Sequence, residues 1–74
     1  MTRAPVVSGT EAVAALERAG FVQVRTRGSH AKLRHPTTAR TAIVPLHREL
    51  ASGTLASVLR QANLSVDEFR TLLD

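Results

Sequence analysis

The chain reads as an α+β fold in the order α-β-β-β-α, with a short extra helix at the C-terminal end. Three observations lead there. Apolar residues recur at helical spacing near the start, alternate with polar ones from Phe21 to Val44, and return to helical spacing from Leu55 onward. Turn and cap residues fall at each change of period. A three-stranded antiparallel sheet with helices on one face satisfies this order, because an amphipathic helix needs an apolar sheet face to cover.

Ser8-Gly9-Thr10-Glu11 has the form of a capping box, in which a serine hydroxyl and a glutamate carboxylate satisfy free amides at a helix start. Val13 and Leu16 lie three apart with Ala12 and Ala19 beside them, and Gly20 suits the left-handed turn that ends a helix. A first helix over residues 9–19 is expected. In Phe21-Val22-Gln23-Val24-Arg25-Thr26-Arg27, strict alternation puts Val22 and Val24 on one face and Arg25 and Arg27 on the other. Gly28-Ser29 supplies a turn. In the next strand Ala31 and Leu33 face the core, while His30, Lys32 and Arg34 face outward. After a polar connection from Pro36 to Arg40, Thr41-Ala42-Ile43-Val44 forms the third strand, closed by Pro45. Leu55, Val58, Leu59 and Ala62 then follow the i, i+3, i+4, i+7 rule, with Asn63 as the terminator. Ser65-Val66-Asp67-Glu68 is a second capping box, and Leu64 and Phe69 have the spacing of a hydrophobic staple before a short last helix over residues 66–73.

The 74 residues fit one domain, 1–74, with residues 1–7 free to be ordered or flexible. A chain this small buries only roughly 60% of its unfolded surface, so a functional site is expected on the surface rather than in a deep cavity. With no cysteine, neither a disulfide framework nor a thiolate metal cage can form. The start lacks the apolar run of a signal peptide, and nothing approaches the ~20 apolar residues of a membrane span. A cytoplasmic protein without membrane attachment is the expectation. Ten Lys and Arg against six Asp and Glu give a net charge of +4. All of these cations except Lys32 are arginine, whose planar donor fork suits phosphate. The aromatics are limited to Phe21 and Phe69, so recognition of shape and phosphate is favoured over stacking on bases.

Arg27-Gly28-Ser29-His30 concentrates the chemistry. It sets an imidazole just past a glycine turn, among Arg25, Arg27, Lys32 and Arg34. Histidine exchanges protons near neutral pH, and a cationic surround attracts a polyanion. In RNA, a 2′-hydroxyl attacks the adjacent phosphorus once a base removes its proton, and a neutral imidazole suits that task. The cations can stabilise charge developing on the phosphate oxygens. The bland alternative is a surface histidine that shapes a hairpin. His47, just past the third strand, is a second candidate for phosphate contact or for a structural role, while His35 reads as structural or solvated. The histidine spacing matches no zinc motif and no acid neighbours His30, so no metal or other cofactor is expected.

The same residues carry a family resemblance. Gly20-Phe21, Arg25 with Arg27-Gly28-Ser29-His30, Val44-Pro45 with His47, Gly53-Thr54-Leu55, Val58-Leu59-Arg60-Gln61-Ala62 and Asp67-Glu68-Phe69 occur in an ordered series. That series, from about Val13 to Leu72, resembles the HicA family of bacterial toxins, small mRNA interferases with a double-stranded-RNA-binding-like fold. The resemblance implies a metal-independent endoribonuclease with His30 as its catalytic histidine. Arg25, Arg27, Gly28, Ser29, Lys32, Arg34 and His47 are then the expected RNA-binding residues, with mRNA as substrate. A HicB-type antitoxin would cover the basic face in a hetero-oligomer, its contacting surface acidic to match the cations. Two other readings stand beside this one: a noncatalytic double-stranded-RNA-binding module of the same fold, and an interaction domain that meets only an acidic protein.

Overall fold

The computed structural model describes residues 4–73. Helix α1 (Gly9–Arg18) starts at Ser8, whose hydroxyl accepts from the Glu11 amide at 3.0 Å while the Glu11 carboxylate accepts from the Ser8 amide at 2.8 Å. It ends in a Schellman closure. The Phe21 amide reaches back to the Leu16 carbonyl and the Gly20 amide to that of Glu17, with Gly20 at φ +101°. Phe21 and Leu16, the apolar pair that accompanies such a closure, are both buried.

Strands β1 (Val22–Arg27), β2 (His30–Arg34) and β3 (Thr41–Pro45) form an antiparallel sheet in the order β1-β2-β3. Strand β1 departs from the expected alternation. Val22 pairs with Arg34, Gln23 with Leu33, and Arg25 with Lys32, so Val24 is an extra residue, a β-bulge. The bulge turns Val22 onto the arginine face instead of the opposite one, because cross-strand partners share a face. Gln23 takes the inner side, and its amide donates to the Thr26 hydroxyl across the bulge. All six residues of β1 are exposed, Val22 and Val24 at 53% each. The sheet's share of the core therefore comes from Ala31, Leu33, Ala42 and Val44 on β2 and β3, with Phe21 just ahead of β1.

Helix α2 (Ser52–Ala62) presents Leu55, Val58, Leu59 and Ala62 to that sheet face. Asn63 closes it in the left-handed conformation, φ 58° and ψ 42°, as the Leu64 amide bonds to the Leu59 carbonyl. Helix α3 (Val66–Leu72) opens on the second capping box, Ser65 with Glu68. Its Phe69 is the largest fully buried side chain, and the Arg18 guanidinium donates to the Leu72 carbonyl at 2.6 Å, tying α3 to α1. Of the N-terminal segment, residues 1–3 lie outside the described residues. Val7 is buried, and its carbonyl accepts from the Leu50 amide at 2.8 Å. Among the described residues no helix is long and apolar enough to cross a membrane.

The helices thus cover one side of the sheet and leave the other open. The two edges of the sheet differ. At β3 the Ile43 amide donates to the Gln61 side-chain oxygen of α2 at 3.1 Å, and the Gln61 amide donates onward to the Ser57 hydroxyl at 3.3 Å. At β1 the bulge and two arginines interrupt the edge, features that discourage strand addition.

Candidate functional site

The register of the sheet arranges its open face in rows. Arg25, Lys32 and Ile43 lie abreast in one row, and Arg27, His30 and Pro45 in the next. A third row, Val22, Arg34 and Thr41, lies beyond them. Adjacent strands are about 4.8 Å apart, so each row spans about 10 Å. A shallow depression of about 380 Å³ occupies the first two rows, lined by Arg25, Arg27, His30, Lys32 and Ile43.

Local structure explains how His30 stands there. Gly28 and Ser29 form a two-residue hairpin connection with Arg27 paired to His30. Gly28 has φ +58°, whereas Ser29 is not left-handed, the pattern of a type II′ turn with glycine at its first central position. A β-carbon on Gly28 would meet nothing within 4 Å, so conformation rather than space calls for glycine. On the other flank the Leu46 amide donates to the Ser29 carbonyl at 2.6 Å, extending the β2–β3 pairing onto the turn. Beneath that point, Gly9 packs so closely that a β-carbon on it would fall 2.0 Å from the Pro45 carbonyl oxygen, and its amide donates to the His47 carbonyl at 2.9 Å. The start of α1 therefore buttresses the end of β3, which flanks the residue before His30.

Four expected site residues, Arg25, Arg27, His30 and Lys32, come together around the depression. Gly28 and Ser29 form the turn that presents His30. Arg34 is exposed on the same face one row away, and His47 is exposed in the segment after β3; neither lines the depression. Among the described residues no carboxylate pairs with Arg25, Arg27 or Lys32, and no side chain bonds the His30 ring. An anion approaching this face meets cations that no acid of the chain has neutralised.

Ile43 is the lining residue that sequence reasoning passed over. Alternation along β3 puts Ile43 outward once Ala42 and Val44 face the core, so the signal was present, but a lone aliphatic on a basic face carries no chemistry by itself. His35 plays a structural part. It is half-buried with its ring edge-on to Phe21 at 5.2 Å, and its Nδ1 accepts from the amides of Thr37 and Thr38 at 3.2 and 3.3 Å. Those bonds shape the β2–β3 connection. Among the described residues no group of three or more His, Cys, Asp or Glu side chains is placed to hold a metal ion.

A family model described as the HicA toxin of bacterial toxin–antitoxin systems matches residues 9–64. The chain belongs to the HicA toxin family. No curated protein matches it. As a HicA toxin it is one half of a bacterial toxin–antitoxin pair, and an antitoxin partner follows from that membership. The match runs from the first residue of α1 to the residue after Asn63, and takes in every lining residue of the depression. It stops short of α3, although Phe69 of that helix fills the centre of the core. The site and the two long helices are thus the family's shared part, and α3 completes the packing beneath them.

Proposed function

We propose that this HicA toxin is a metal-independent endoribonuclease that cleaves mRNA, with His30 as general base. One observation carries the reading: the exposed His30 imidazole stands in a depression it shares with Arg25, Arg27 and Lys32. The imidazole removes the proton from a ribose 2′-hydroxyl. The freed oxygen bonds to the adjacent phosphorus, and the bond from phosphorus to the 5′-oxygen breaks. The products are a 2′,3′-cyclic phosphate and a 5′-hydroxyl, whose proton comes from the imidazolium or from water. Charge that builds on the phosphate oxygens is met by the guanidinium groups of Arg25 and Arg27 and by the Lys32 ammonium. Arg34 and His47 extend the phosphate path beyond the depression. A HicB-type antitoxin with an acidic surface covers this face in a hetero-oligomer, occluding His30. The toxin works in the cytoplasm, where its mRNA substrate is.

The test is incubation of the purified protein with end-labelled RNA in the presence of a chelator, alongside His30→Ala. Cleavage to cyclic-phosphate ends by the wild-type protein, reduced about 10²–10⁴-fold in His30→Ala with RNA binding retained, is the expected result. Salt-sensitive binding without cleavage would leave the noncatalytic RNA-binding reading in its place.

A further inference from the structure

The open face is polarised across its strands. In the two rows that contain His30 and Lys32, the β1 member is an arginine (Arg25, Arg27) and the β3 member is apolar (Ile43, Pro45). Charge therefore lies along one side of the depression and hydrocarbon along the other, with His30 and Lys32 between them. A nucleotide has the same asymmetry: an anionic phosphate at one end, a flat apolar base face at the other, and ribose between. The row width of about 10 Å is one that a single nucleotide covers from phosphate to base.

Ile43 is held where such a contact needs it. It is 38% exposed, well over what its inward-facing strand neighbours Ala42 and Val44 show, yet its backbone amide is fixed by Gln61 of α2. It is β-branched and so stiff at χ1, which limits the side-chain entropy lost on contact. Burying it removes apolar surface from water without requiring any particular hydrogen-bond pattern from the base.

The geometry points to Ile43, supported by Pro45, as the apolar platform for one unpaired RNA base, with that nucleotide's phosphate toward Arg25 and Arg27. This assignment rests on the RNA-cleaving reading of the same face and narrows its substrate to single-stranded RNA. In a duplex both faces of an internal base are already stacked, so Ile43 has nothing to contact. The platform positions the ribose over His30 and does not itself touch the reacting atoms.

The test separates bases from phosphates. Fluorescence anisotropy compares a labelled single-stranded oligoribonucleotide with an abasic ribose-phosphate strand of equal length and charge. The protein carries His30→Ala so that RNA stays intact, and is compared with its Ile43→Ala and Ile43→Thr derivatives; the β-branched threonine keeps the strand's preference if alanine loosens it. Both replacements should weaken binding of the base-bearing strand about three- to tenfold and change binding of the abasic strand less than twofold. Ile43→Leu should restore most of the loss. An equal loss on both strands, or none on either, overturns the assignment. The outcomes are distinct from those of the cleavage assay. Base-dependent binding through Ile43 without cleavage by the protein retaining His30 supports the platform while sinking the nuclease. Salt-independent binding, or none, to either strand sinks both.

Discussion

Gly9→Ala tests whether the start of α1 really supports the strand end beside His30. The added β-carbon would lie 2.0 Å from the Pro45 carbonyl oxygen, 2.7 Å from Leu46 Cα and 2.9 Å from the Pro45 carbonyl carbon. All three are backbone atoms, so no side chain can rotate away. Reaching ordinary contact at 3.4 Å requires helix and strand to part by about 1.4 Å. That displacement strains the Gly9–His47 hydrogen bond, worth about 0.5–1.5 kcal/mol net, and overpacking adds about 1–3 kcal/mol. Against this, alanine lowers the entropy of the unfolded chain and returns about 0.4–1 kcal/mol. The net expectation is a loss of about 1–3 kcal/mol, a large fraction of the roughly 4–11 kcal/mol typical of a domain this size. Thermal unfolding followed by circular dichroism should show Tm lower by about 4–8 °C per kcal/mol, hence by at least several degrees. Gly53→Ala is the matched control. It changes the same atoms in the first turn of α2, where a β-carbon meets nothing within 4 Å, and should leave Tm unchanged or raise it. Equal Tm for Gly9→Ala and the wild-type protein would refute the close approach and the buttress inferred from it.

Other consequences are measurable. Arg25→Ala and Arg27→Ala should each reduce the slope of log binding constant against log salt by about 0.7 on single-stranded RNA, since each contact released frees its counterion; an unchanged slope would remove that arginine from the phosphate path. The Glu68 carboxyl is held below its ordinary value, first by the Ser65 amide and second by the Ser65 hydroxyl. Its folded-state affinity for protons is below its unfolded one, so its contribution is present above the unfolded value and is lost as pH falls through the folded one. Urea titrations should show a loss of stability on acidification that is smaller in Glu68→Gln. Ala39 has φ 64°, a left-handed conformation that costs a β-carbon roughly 1–2 kcal/mol, so Ala39→Gly should not destabilise the β2–β3 connection as a glycine elsewhere would. Leu33→Ala, at a fully buried position opposite the helices, should cost about 2–5 kcal/mol and abolish a cooperative thermal transition if the domain is near the low end of its stability range.

Much of the fold was legible because its signals are local. A capping box needs only a serine and a glutamate three residues apart, and both boxes formed as their spacing indicates. Asn63 and Gly20 ended their helices for the same kind of reason: each supplies a left-handed residue at the place where the apolar period stops. The outward setting of His30, Lys32 and Arg34 followed from Ala31 and Leu33, since side chains on a regular strand alternate. Strand β1 was misread for a physical reason. Alternation presumes unbroken pairing, and the bulge at Val24 inverts every side chain on one side of it without leaving a distinctive residue type.

Local chemistry along the chain was thus sufficient to name the elements, their ends, the turn before the histidine and the cations near it. Three things required the packed molecule. The first is which strand lies at the open edge of the sheet. The second is that Ile43, distant in sequence from His30, completes the same depression. The third is that Gly9 is needed for space while Gly28 is needed for conformation. Each depends on distances between segments far apart in the chain, and no spacing within a single segment encodes them.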